Sequence, residues 1–123
     1  MILDLTNYEM LDLAHSHISN GTDDLNRLAA AFTAYLIVSY RAGRELSAFQ
    51  CTVVTFFFVS VVAQAAVGAY GEVSAAIGFW RAAHGDHIGS MAEMFNRAGI
   101  FLWLGGVLAS LAFMWRVRHP KSE

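Results

Sequence analysis

Val53-Val54-Thr55-Phe56-Phe57-Phe58-Val59-Ser60-Val61-Val62 is the centre of an uncharged run from Leu46 to Gly71, closed at its ends by Glu45 and Glu72. The run holds 26 residues and is rich in Val, Phe and Ala. A helix needs about 20 such residues to cross the roughly 30 Å hydrocarbon core of a bilayer. A helix of a small soluble domain is apolar along one stripe, because only one face meets the core. Here apolar residues occupy every face, so the run reads as a transmembrane helix. A second run, Ala98 to Trp115, sets 18 uncharged residues between Arg97 and Arg116.

Composition agrees with a membrane chain. Hydrophobic residues make up 56% of the 123 and charged residues 15%, with a mean hydropathy of +0.44. That length fits one domain. The formal charge is -2 and the eight Lys and Arg are scattered over segment ends. Without a basic patch there is nothing to grip a phosphate backbone, and no nucleic-acid partner is expected. The single cysteine, Cys51, has no partner for an internal disulfide and reads as a small hydrophobe in a packed helix. Met1-Ile2-Leu3-Asp4 lacks the basic start of a cleavable signal, and no lipidation motif is present, so the spans themselves are expected to target the chain.

A third span is shorter. Leu28 to Tyr40 gives 13 uncharged residues. Thr22 or Asn20 followed by Asp23 and Asp24 reads as an N-cap with acids in the first turn. Arg27 and Arg41 can lay their methylenes along the apolar helix and set their heads at the two interfaces. A helix from Thr22 to Ala42 is then about 30 Å long.

The expected fold is an all-α integral membrane three-helix bundle, N-terminus out and C-terminus in, with transmembrane helices over 22–42, 46–71 and 98–116. Amphipathic helices are expected before the first span (1–21) and between the second and third (72–97), and a cytoplasmic tail over 117–123. The orientation follows from positive charge, which marks the cytoplasmic side. Arg41 and Arg44 sit in the short turn, Arg116, Arg118 and Lys121 in the tail, while the segment to Asp24 carries five acids and no Lys or Arg. Such a bias suits a bacterial inner membrane. The first outer stripe runs Tyr8, Leu11, His15, Ile18, and the second Val73, Ile77, Trp80, His84, Met91, Phe95, both at helical spacings. Gly78, Gly85 and Gly89 weaken the second, and a break is expected near Gly85-Asp86.

Histidines carry the sharpest chemical hint. His15 and His17, with His84 and His87 beside Asp86, could converge on Zn²⁺ or Cu²⁺. The spacing is unspecific, since positions i and i+2 of a helix diverge by about 200°. Interfacial histidines bonded to backbone or headgroups are the simpler reading, and pH sensing is a further one. No histidine lies in the three runs, which argues against a b-type haem. No acid or base lies there either, which argues against a proton relay.

The deepest strongly polar residue is Gln64, with Ser60 one turn before it and Gly68 one turn after. This face reads as helix packing through hydrogen bonds and close approach, or as a pore lining. Small residues recur in the last span as Gly105-x-x-x-Ala109 and Gly106-x-x-x-Ser110, a spacing that lets helices approach closely in lipid. Gly-x-Ser-x-Gly, a phosphate-binding glycine loop and Cys-x-x-Cys are all missing, so no enzyme is expected.

These features imply a small non-enzymatic membrane protein that self-associates and forms or regulates a pore. In size, orientation and basic tail the layout resembles the three-span phage holins, though it shares no holin motif and has a longer outer segment. The alternative is an accessory subunit packed against a larger membrane enzyme or transport complex. A third is a protein that binds metal at the outer histidines. The expected partners are membrane lipid and either further copies or larger membrane subunits, with no cofactor beyond that Zn or Cu.

Overall fold

The computed structural model describes residues 5–120, with His87 and Ile88 described by their backbone only. The ends of the expected outer segment and tail, residues 1–4 and 121–123, lie outside the described residues. The chain forms three long helices: α1 (Asn7–Ala42), α2 (Ala48–His84) and α3 (Asp86–Arg118). Two helical stretches, Ala48–His84 and Gly89–Arg118, are long and apolar enough to cross a membrane. α1 is as long but less apolar.

Each start is fixed by local chemistry. Thr6 caps α1: its Oγ1 accepts from the Glu9 N–H at 3.3 Å, and the Glu9 carboxylate accepts from the Thr6 N–H at 2.8 Å. Ser47 and Gln50 repeat this reciprocal cap on α2. The cap expected at Thr22 or Asn20 is therefore not used. α1 passes through both without a break, and the Thr22 hydroxyl donates back to the Ile18 carbonyl at 2.9 Å. Likewise the two outer amphipathic segments are not separate helices but prolongations of α1, α2 and α3. Gly21, the residue that looks most like a breaker, is buried against α2, where a Cβ would come within 3.3 Å of Val73. Close packing keeps it helical. The expected break at Gly85-Asp86 is present, with Gly85 at φ 86° and ψ -179°.

The α1–α2 seam follows a seven-residue repeat. Ala14, Gly21, Leu28 and Tyr35 are buried at intervals of seven, with half-buried Met10, His17, Asp24, Ala31 and Val38 between them. On α2 the inward positions are Phe58, Val62, Ala65, Ala69, Glu72 and Ala76, alternating by four and three. Such a 4–3 pattern is that of helices packed knobs into holes. Partners run in opposite directions, since His17 meets Glu72 and Tyr35 meets Thr55. Small residues fill the seam near Gly85 and large ones fill it near Gly43. Phe58 stacks on Tyr35 at 4.1 Å and meets Phe32 edge-on at 5.4 Å. α3 closes the core with Met114, flanked by Trp103, Val107 and Leu111.

Most of the expected outer stripes do not face the seam, Val73 and Ile77 excepted. Tyr8, His15, His84, Met91 and Phe95 are exposed, while of the second stripe Ile77 is buried. The period was right and the buried face was offset, because seam positions are held by small and polar residues that a hydrophobicity pattern passes over.

Candidate functional site

The four histidines do not come together as a described cluster. His15 and His84 are exposed. His17 is engaged on α2, with Nδ1 2.6 Å from the Glu72 carboxylate and its ring stacked on Phe79 at 5.7 Å. The His87 side chain lies outside the described residues. Among the described residues no three His, Cys, Asp or Glu side chains are grouped to hold a metal.

The helix-packing residues divide into two sets. Gly68 faces α1, where a Cβ would collide with the Asp24 carboxylate. Gly106 lies under Phe32, whose ring would be 3.1 Å from a Cβ there, and Ser110 is buried. These three hold the fold together. Ser60, Gln64, Gly105 and Ala109 point away from the core and are exposed, and Gly105 would meet nothing within 4 Å. Gln64 makes no hydrogen bond among the described residues. It lies about 8 Å from the midpoint of the uncharged run by helix rise. On α2 a side chain leans toward the helix N-terminus, so the Gln64 amide leans further into the run rather than toward Glu72.

Charges gather in two belts. Toward Gly85, Asp24 and Arg27 pair at 3.3 Å, Arg81 reaches Glu93 at 2.9 Å and Asp86 at 3.2 Å, and Arg97 also pairs with Glu93. The hydrogen bond to the Arg81 guanidinium, then that to Arg97, holds the Glu93 carboxyl below its usual range. Asn96 donates to the Ser74 hydroxyl at 3.0 Å, bringing this level of α3 beside α2. Toward Gly43 the arginines behave differently. Arg118 donates to the Leu46 carbonyl at 2.7 Å and Arg44 to the Val117 carbonyl at 3.3 Å, and these bonds tie the α1–α2 turn to the end of α3. Among the described residues, no carboxylate pairs with Arg41, Arg44, Arg116 or Arg118. From Arg97 to Arg116 the helix rises about 28 Å, close to the thickness of a hydrocarbon core.

No protein family, curated protein or solved structure matches this chain.

The surface between the belts is apolar. Phe101 is 75% exposed and Leu102 76%. Only 17% of the most apolar stretch of α2 and 11% of that of α3 are buried within the fold. The chain exposes 8830 Å², against about 6500 Å² expected of a folded soluble monomer of its mass. Sequence reasoning missed the polar seam of His17, Asp24 and Glu72. The signal was there, because all three sit on the same heptad frame as Leu28, Tyr35 and Phe58.

Proposed function

We propose that this is an integral membrane protein that crosses the bilayer three times and self-associates through the outward face of α2, forming or regulating a pore. The observation that carries it is Gln64, exposed within the apolar run one turn from the level of Asp24, with Ser60 one turn further in and no hydrogen-bonding partner among the described residues. An unpaired amide in hydrocarbon costs free energy, and interhelical hydrogen bonds through such groups contribute about 1 kcal/mol each. A second copy offers the same face and can satisfy both. Gly105, open on α3, allows close approach on a second side.

Packing supports three crossings. α1 is less apolar than its neighbours, but Leu28 and Tyr35 pack at the level of Val62 and Phe58. If α2 and α3 cross, α1 must lie at the same depth. The Gly43 end, with four arginines that pair with no carboxylate among the described residues, then faces the cytoplasm, and the Gly85 end projects outward.

The test is cross-linking and native mass spectrometry of protein extracted gently from its membrane, with leakage from reconstituted liposomes. Wild type is expected as a discrete homo-oligomer that leaks ions or dye, and Gln64→Leu as a smaller species with altered leakage. A monomer in both would refute self-association.

A second reading, an accessory subunit of a larger membrane complex, is favoured by one observation. Met91, Met94 and Phe95 are exposed on α3 beyond the Arg97 level, which on the three-span reading lies outside the hydrocarbon core. Copurification of a larger subunit, lost on Phe95→Glu, would support it.

A further inference from the structure

We infer that the open seam between α1 and α3 is a binding groove for one anionic phospholipid of the cytoplasmic leaflet. The inference rests on the three-span orientation above. α1 and α3 meet sparsely, and the gap between them is an apolar groove of about 810 Å³. Gly106 and Ala109 form a low floor, and Phe32, Ile37 and Phe113 are among its walls. Phe32 closes one end over Gly106, and Arg41 stands at the other. From Phe32 to Arg41 the helix rises about 14 Å, which matches one leaflet of a hydrocarbon core of about 30 Å. Short of Tyr40 and Arg41 at the mouth, Thr33 is the polar residue on the α1 wall, and its hydroxyl is spent on the Ala29 carbonyl at 2.8 Å, so this stretch of the groove suits an acyl chain.

Past Tyr40 and Phe113 the groove continues into a second hollow of about 820 Å³, lined by Arg44, Arg116 and Trp115 among others. An apolar trough of single-leaflet depth thus opens onto Arg41, Arg44 and Arg116. At the other belt Arg27, Arg81 and Arg97 are all neutralised by the chain's own carboxylates. At this belt no described carboxylate pairs with Arg41, Arg44 or Arg116, and a lipid phosphate would supply the counter-charge. Basic pockets between helices on the cytoplasmic side bind such headgroups.

The experiment is native mass spectrometry of detergent-purified protein titrated with phosphatidylglycerol or phosphatidylcholine of identical chains. Beforehand, alkaline carbonate extraction of the source membrane tests the spanning reading separately. Expected is one phosphatidylglycerol per protomer at concentrations where phosphatidylcholine does not bind. Affinity should fall about five-fold for each of Arg41→Gln and Arg44→Gln. It should fall at least as far for Ala109→Phe, which fills the trough and keeps every arginine. Ile37→Trp repeats that test from α1 should Ala109→Phe lose helicity, and Leu104→Phe, outside the groove, should leave binding unchanged. Inorganic phosphate should not compete. A chain that resists carbonate but binds both lipids equally overturns the groove alone. So does sensitivity to the arginines without sensitivity to Ala109→Phe, which means general attraction to an anionic surface. Loss of an oligomer rather than of lipid in Ala109→Phe also overturns it, in favour of a second copy as occupant. Release by carbonate overturns both readings.

Discussion

Two glycines on α2 and its turn show how one residue's backbone sets the sign of a substitution. Gly85 occupies φ 86° and ψ -179°, and a Cβ there would meet no atom within 4 Å. The cost of Gly85→Ala is therefore all backbone, about 1–3 kcal/mol for a region that only glycine populates freely. Gly78 is equally open but lies inside the helix with ordinary dihedrals. Gly78→Ala should stabilise by about 0.5–1 kcal/mol. Thermal unfolding in detergent should lower the melting temperature for the first and raise it for the second. Glu93 supplies a pH dependence at the same end. Hydrogen bonds from Arg81 and then Arg97 lower its folded pKa below the ordinary 4.5. Its stabilising effect is complete above that ordinary value and is lost as pH falls through the lowered one. Wild type should lose thermal stability over that acidic window more steeply than Glu93→Gln. Parallel acid profiles for the two would show that the clamp does not contribute.

At the scale of elements, the α1–α2 seam carries polar groups where a hydrophobic pair would serve for stability alone. His17 and Glu72 bond at 2.6 Å with side chains 31% exposed, at heptad positions where polar residues fix register. Removing one partner leaves the other half-buried and unpaired, so His17→Leu and Glu72→Leu should each destabilise, while the double variant recovers much of the loss. Neighbours in one network couple by roughly 0.5–3 kcal/mol, which a double-mutant cycle on unfolding free energies would read. Additive effects would mean that the pair is incidental. The same seam explains what the sequence made legible. The two apolar runs were plain because each holds 18 or more residues without a charge, and the break at Gly85 was plain because Gly85, Gly78 and Gly89 cluster. The Thr6-x-x-Glu9 and Ser47-x-x-Gln50 capping boxes are written in the sequence, but the acids that follow Thr22 and Asn20 put the expected start of the first span there. Gly21 and Ala14 gave no sign of burial, since small residues become interface only once a partner helix is placed against them. For the same reason the sequence grouped Ser60, Gln64 and Gly68 on one face, while the fold turns Gly68 to Asp24 and leaves the other two outward.

For the whole molecule the decisive quantity is the depth of α1. Its apolar part from Arg27 to Arg41 rises about 21 Å, short of a hydrocarbon core of about 30 Å. Alone it would make a weak span. It is carried by α2, because Leu28 and Tyr35 belong to the same core cluster as Val62, Phe58 and Met114. Pulling α1 out would strip that cluster and leave the Tyr35 hydroxyl without Thr55, which it meets at 3.0 Å. On the three-span reading Arg27 and Arg41 flank the α1 span and can reach the interfaces by extending along it. If α1 crosses with α2 and α3, residue 16 and the tail lie on opposite sides of the membrane. Ser16 is exposed on α1, so in a Cys51→Ala background Ser16→Cys should react with a membrane-impermeant maleimide from outside intact cells. Ser122→Cys should react only after the membrane is opened. Labelling of both from outside, or of both only after opening, would mean that α2 and α3 cross without α1. In that case the α1–α2 seam would have to come apart in the bilayer, and the cluster around Tyr35 and Phe58 would not exist in the membrane-bound protein.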